Sequence, residues 1–251
     1  MSRPQTRVFG GSPWAGSTGP RAAREEAPTS AEPQWRCRTD RESRRPVFAA
    51  ALLIIAGQTW VAHSLALRPV WVFPAISTAL LVASIAVYES ATAPGAAARV
   101  LSRALVVVLV IGNGASLVLL VRGVFVGSSL SPSGLLIAGL ALWVVNLAVF
   151  ALMYWEIDGG GPESRADGYP GHYPDLVFPQ QQADQQGLAP ATWKPSFYDY
   201  TYVSVTSAVA FSPTDAMPYS RWAKLTMGTE SLLSFAMLAV VVARAVNIAH
   251  G

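Results

Sequence analysis

Cysteine is nearly absent from this chain: Cys37 stands alone, which excludes an intramolecular disulfide and any cysteine-built metal cluster. Histidine is scarce as well, with three in 251 residues, and no His, Cys or carboxylate spacing reads as a metal site. Charged residues make up 13%, where soluble domains carry about a quarter. Lysine is reduced to Lys194 and Lys224, the other 16 of the 18 basic residues being arginine. With the abundance of Ala, Gly and Val, that usage points to a GC-rich bacterial genome. Nine of the arginines precede Pro46, so the net charge of +3 belongs to one terminal segment and not to a nucleic-acid-binding face. No phosphate loop, nucleophile elbow, zinc-protease helix or dinucleotide fingerprint occurs, so neither an enzyme nor a cofactor is expected.

What the chain has is apolar residues, 52% of the total, gathered into blocks. Windows of about 20 such residues read as spanning helices. The expected spans are 47–67, 70–88, about 104–121, about 132–155 and about 222–247. Pro74 falls in the first turn of the second span, where a missing N–H costs least. Ser131 and Pro132 open the fourth as N-cap and first helical residue. Gly112 to Ser116 supply small residues that let a neighbouring helix approach. Gln58, His63, Asn113 and Asn146 are isolated polar residues expected to hydrogen-bond between helices. Arg244 is expected to snorkel to a head group.

Residues 1–45 hold no apolar core of a signal peptide, and their Pro, Gly, Ser and Arg content reads as a disordered cytoplasmic tail. Arg36, Arg38, Arg41, Arg44 and Arg45 crowd the first span and place the N-terminus in the cytoplasm. The domain plan is then 1–45 tail, 46–155 four spans, 156–196 a Pro/Gly/Gln-rich loop, and 197–251 a short half-helix, a turn and the last span. A loop that long without structure is functional or disordered. Within it His172, Asp167 and Asp175 read as solvated.

The ending, "FYDYTYVSVTSAVAFSPTDAMPYSRWAKL" followed by an apolar helix, resembles in order and length the pore loop and inner helix of potassium channels. On that family's T-V-G-Y-G-D filter, Val209, Ala210, Phe211 and Ser212 fall on V-G-Y-G, and Asp215 trails the family's Asp by two residues. Filter glycines take backbone angles that Ala210 and Ser212 resist, and Pro213 fixes the chain just after. A potassium-selective filter is therefore not expected. Tyr154 to Glu156, Asp158, Gly159 to Pro162 and Phe211 to Pro218 also resemble a group of uncharacterised actinobacterial multi-spanning integral membrane proteins. The "SPTD" turn itself has a plainer reading, a helix cap with Ser212 at N-cap and Asp215 at N3.

Candidate pore or ion-site residues are Thr206, Ser207, Ser212, Thr214, Asp215 and Glu230. Glu230, about two turns into the last span, is the one carboxylate well inside an expected hydrocarbon region; its other reading is an interfacial partner of Lys224 or Arg221. The expectation is an all-α polytopic bundle of the bacterial plasma membrane, five spans plus a short sixth or re-entrant helix. It is read as a pore-like or ion-handling protein; the alternative is a non-conducting scaffold or sensor whose acidic loop meets a partner. Its partner is the lipid bilayer, and the channel-like ending allows a homo-oligomer.

Overall fold

The computed structural model describes residues 34–64, 71–90, 95–126, 131–182, 193–209 and 216–250. The fold is all-α. Its helices are α1 (Arg45–Ser64), α2 (Val72–Ser90), α3 (Ala96–Val126), α4 (Pro132–Ile157), α5 (Pro162–Ala166), α6 (Phe197–Val209) and α7 (Arg221–His250). Two short strands, β1 (Leu176–Val177) and β2 (Met217–Pro218), pair antiparallel. Five of the helices are long and apolar enough to cross a membrane.

α4 is the hub. The apolar stretch of α4 is 56% buried, against 17–39% in the other four long helices, and α1, α3, α6 and α7 all pack on it. Ser131 caps its start as expected, its side chain accepting from the Gly134 N–H at 3.1 Å. Outward-facing positions of the long helices are apolar too, among them Leu52, Val82, Val118, Leu140, Leu232 and Phe235. A water-soluble bundle would put charge there.

The small residues do what their size permits. A Cβ on Gly112 would stand 2.9 Å from the Gln58 Oε1, so α1 and α3 approach closely there, and Gln58 Nε2 donates to the Leu109 carbonyl at 2.8 Å.

One end of the bundle carries a cap. There α1 begins, with the Arg44 guanidinium over Tyr88 near the end of α2, and Ser102 near the start of α3 reaches Glu156 near the end of α4. Residues 156–182 are not a structureless loop but a folded plug containing α5, β1 and buried Asp158, Glu163, Arg165, Tyr169, Leu176 and Phe178. Gly159, at φ +60, permits the turn; a Cβ there would meet the Tyr169 ring at 2.3 Å. Residues 34–44, assigned by composition to the tail, lie against this plug. The Thr39 N–H donates to the Ala166 carbonyl at 2.9 Å, and a Cβ on Gly168 would come within 2.2 Å of the Arg36 carbonyl oxygen.

α6 starts at the cap end, capped by Ser196 and Asp199: the Asp199 Oδ2 accepts from the Ser196 N–H and hydroxyl, both at 2.7 Å. At 13 residues it reaches about 20 Å, short of the ~30 Å of a hydrocarbon core. By Met217 the chain is back at the cap end, paired to β1, and the Tyr219 N–H donates to the Asp175 carbonyl at 2.8 Å. α7 then leaves from that same end, antiparallel to α4.

Ser212 and Thr214 to Asp215 lie outside the described residues, but the chain is extended at β2. α7 begins only after Ser220, whose hydroxyl accepts from the Ala223 N–H at 3.0 Å.

Candidate functional site

Two polar layers sit inside this apolar frame. The deeper one centres on Glu230, which is fully buried on α7. Its carboxylate accepts hydrogen bonds from the Tyr154 hydroxyl of α4 and the Ser204 hydroxyl of α6. Glu230 pairs with neither Lys224 nor Arg221, both of which are exposed. On α7, which starts at the cap end, Glu230 lies about two and a half turns past Arg221 and about one and two-thirds turns past Lys224.

The layer continues across the bundle. Ser234, one turn beyond Glu230, accepts from Asn146 Nδ2 at 3.1 Å, and the Asn146 Oδ1 accepts from Asn113 Nδ2 at 2.7 Å. The isolated asparagines thus join α3, α4 and α7, as expected of lone polar residues between helices. Ser207 lies in the same layer: it is buried, its carbonyl accepts from the Ser231 hydroxyl at 2.9 Å, and its own hydroxyl faces Tyr154. Asn113 Oδ1 is buried and unpartnered.

Of the six residues singled out by sequence, Ser207 and Glu230 share this layer. Thr206 does not, because its half-buried hydroxyl donates back to the Tyr202 and Val203 carbonyls of its own helix. Ser212, Thr214 and Asp215 lie outside the described residues. Tyr154, Ser204, Asn146 as a relay and Ser234 were not anticipated together. A signal existed: Tyr200, Ser204 and Ser207 recur at helical spacing on α6, and Glu230 and Ser234 are four apart on α7.

The second layer lies under the plug. Asp158 is its hub. Its Oδ1 accepts from the backbone N–H groups of Asp175 (2.7 Å) and Leu176 (2.9 Å), and its Oδ2 accepts from the Tyr200 hydroxyl at 2.6 Å. Arg165 is buried beside it, donating to the Trp155 and Asp158 carbonyls at 2.7 and 2.9 Å with its guanidinium 4.9 Å from the Tyr200 ring centre. Glu42 accepts from the Trp155 indole at 2.7 Å and from the first N–H of α6 at 2.6 Å, and Arg44 is ion-paired with Glu163. Burial, reinforced by the Asp158 charge, raises the Tyr169 pKa above its ordinary value. Burial lowers that of Lys194, whose ammonium lies 4.8 Å from the Tyr169 ring centre. Asp175 is half-buried, its Oδ2 accepting from the Gly159 N–H at 2.9 Å, whereas His172 and Asp167 are exposed.

A cavity of about 10 Å³, lined by Tyr154, Asp158, Asp175, Trp222 and Thr226 among others, separates the layers. That is roughly the space of one water. The arrangement can pass a proton between hydroxyl and carboxylate groups, or offer a carboxylate and hydroxyl oxygens to a small cation. Comparison with known proteins finds no matching family model, no matching curated protein and no matching solved structure.

Proposed function

We propose that the chain is a multi-pass protein of the bacterial plasma membrane, with its N-terminus and plug cytoplasmic, that handles a small cation or proton at Glu230. The membrane reading is supported by five long apolar helices whose outward faces are also apolar. Orientation is supported by the arginines: Arg36, Arg38, Arg41, Arg44, Arg45, Arg99, Arg103, Arg165 and Arg221 all belong to the cap end. Reporter fusions test it. Green fluorescent protein on the N-terminus should fluoresce, and alkaline phosphatase on the C-terminus should be active, because five crossings leave the two ends on opposite sides. A fluorescent and phosphatase-inactive C-terminus means an even number of crossings and defeats this topology.

The observation that carries the functional reading is the buried Glu230 carboxylate, held by two hydroxyls and free of any basic partner among the described residues. Carboxylates at such depth are costly and serve as proton or cation relay points. α6 deepens the case. It enters from the cap end and the chain returns to that end before α7 crosses, which in a bilayer is a re-entrant loop, the layout of a channel's pore loop and inner helix. Backbone at that depth is tolerable where protein or a water-filled path surrounds it. The scaffold reading has less support, since Glu156, Asp158 and Glu163 of the acidic loop turn inward and are not displayed to a partner.

Purified protein in liposomes should pass cations with only a weak preference for potassium over sodium. Ala210 and Ser212 stand where a carbonyl filter needs flexible glycine, and Pro213 fixes the chain just after. A reversal potential showing strong potassium preference refutes that part, and a complete absence of flux favours the scaffold.

A further inference from the structure

Between α3 and α4, next to the cap, an apolar groove of about 500 Å³ opens on the outer surface. Its walls include Val107, Val110 and Ile111 of α3 and Met153 of α4, and Arg103 and Glu156 line it as well. We propose that this groove seats an acyl chain of an anionic phospholipid whose phosphodiester is held by Arg103. The inference rests on the membrane reading above.

Arg99, Arg103, Val107 and Ile111 fall at four-residue spacing, one stripe along α3, and all four face outward. Two positive charges therefore sit at the cap end of the stripe and branched aliphatics run below them. Ile111 lies about 12 Å deeper than Arg103 at 1.5 Å per residue, the dimension of a chain and not of a head group. The volume falls within the roughly 300–1,000 Å³ of ligand sites.

The electrostatics select the head group. The Arg103 side chain is 57% exposed; it donates through one Nη to the Gly160 carbonyl at 3.1 Å and holds its Nε 3.7 Å from the Glu156 Oε1. Its second Nη makes no hydrogen bond among the described residues. Glu156 cancels only part of the charge at the mouth: its Oε1 pairs with Arg103, and its buried Oε2 accepts from the Ser102 hydroxyl at 2.5 Å. Arg99 and Arg103 against Glu156 leave one net positive charge at the mouth. A phosphodiester without a compensating amine matches that charge, and a guanidinium grips phosphate oxygens bidentately. A free anion would satisfy the arginine but leave the groove unfilled.

The test is thermal unfolding of the delipidated full chain in neutral detergent, titrated separately with dioleoylphosphatidylglycerol, dioleoylphosphatidylcholine and inorganic phosphate. Phosphatidylglycerol should raise the midpoint saturably and the other two should not. Arg103→Gln should weaken that response by about tenfold, the weight of one charge-assisted hydrogen bond. Val107→Trp, at an outward position, should fill the groove and weaken it without lowering the lipid-free midpoint. Equal stabilisation by both lipids, an equal response to phosphate, or undiminished response in both variants overturns the proposal. Carbonate extraction of cell membranes separates the two readings. A chain released to the supernatant defeats the membrane reading, whereas a chain retained in the pellet without lipid preference defeats the groove alone.

Discussion

Asp158→Ala is expected to destabilise the folded chain by about 3–5 kcal/mol, the usual cost of breaking a buried charged network from one side. The carboxylate accepts three hydrogen bonds from two separate segments, the backbone of Asp175 and Leu176 where β1 begins and the Tyr200 hydroxyl of α6. Alanine leaves two backbone N–H groups and one phenol without acceptors in a region closed to solvent, at about 1–3 kcal/mol for each unsatisfied group, partly relieved by water. Arg165 would also lose the nearest negative charge that offsets its burial. Asp158→Asn keeps one oxygen for the two backbone donors and should cost less than half as much. Thermal unfolding in detergent reads both, with a midpoint drop on the order of 10 °C for alanine. Limited trypsin digestion should cut at Arg165 faster in the alanine variant, since that bond sits in the plug the carboxylate ties down. An alanine variant as stable as the asparagine one would show that Asp158 is not the hub.

The parts of this fold that could be read from sequence are those written in local patterns. Ser131 followed by Pro132 states a helix start in two residues, and the described helix starts there. Apolar blocks of helical length locate the five long helices to within a turn or two. The largest miss is α3, which begins at Ala96, because a helix continues through Arg99 and Arg103 past the end of the apolar run. The plug was not legible because its bonds are distant in sequence. Asp158 meets partners 18 and 42 residues away, and Glu42 meets partners 113 and 155 residues away. Composition called 34–44 and 156–182 loose, yet a few specific groups, Trp35, Glu42, Arg44 and the glycines after Asp158, suffice to fold them against the bundle end. The "SPTD" turn lies outside the described residues, and the start of α7 is capped by Ser220, which carries the same serine signal.

Glu230 was legible as a buried acid, and its partners were not, because hydroxyls from two other helices leave no mark in the neighbouring sequence. The decisive experiment on it compares Glu230→Gln with Tyr154→Phe in one liposome flux assay. Glutamine keeps the shape and an oxygen that can accept from Ser204 or Tyr154, so folding should change by no more than about 1 kcal/mol. What it removes is charge. A unit charge about 4 Å from a cation is worth roughly 4 kcal/mol at an effective dielectric of 20, so flux should fall on the order of a thousandfold. Tyr154→Phe removes one donor and leaves the carboxylate, so it should lower stability by about 1–2 kcal/mol and flux by far less than glutamine does. Asp215→Asn belongs in the same assay as a test of whether the returning segment shares the site. Should Glu230→Gln pass ions at the parent rate while its melting midpoint is unchanged, the carboxylate is a helix-joining group and nothing more. Should flux vanish in glutamine and persist in phenylalanine, the charge on Glu230, and not the hydrogen-bonded frame around it, is what moves the ion.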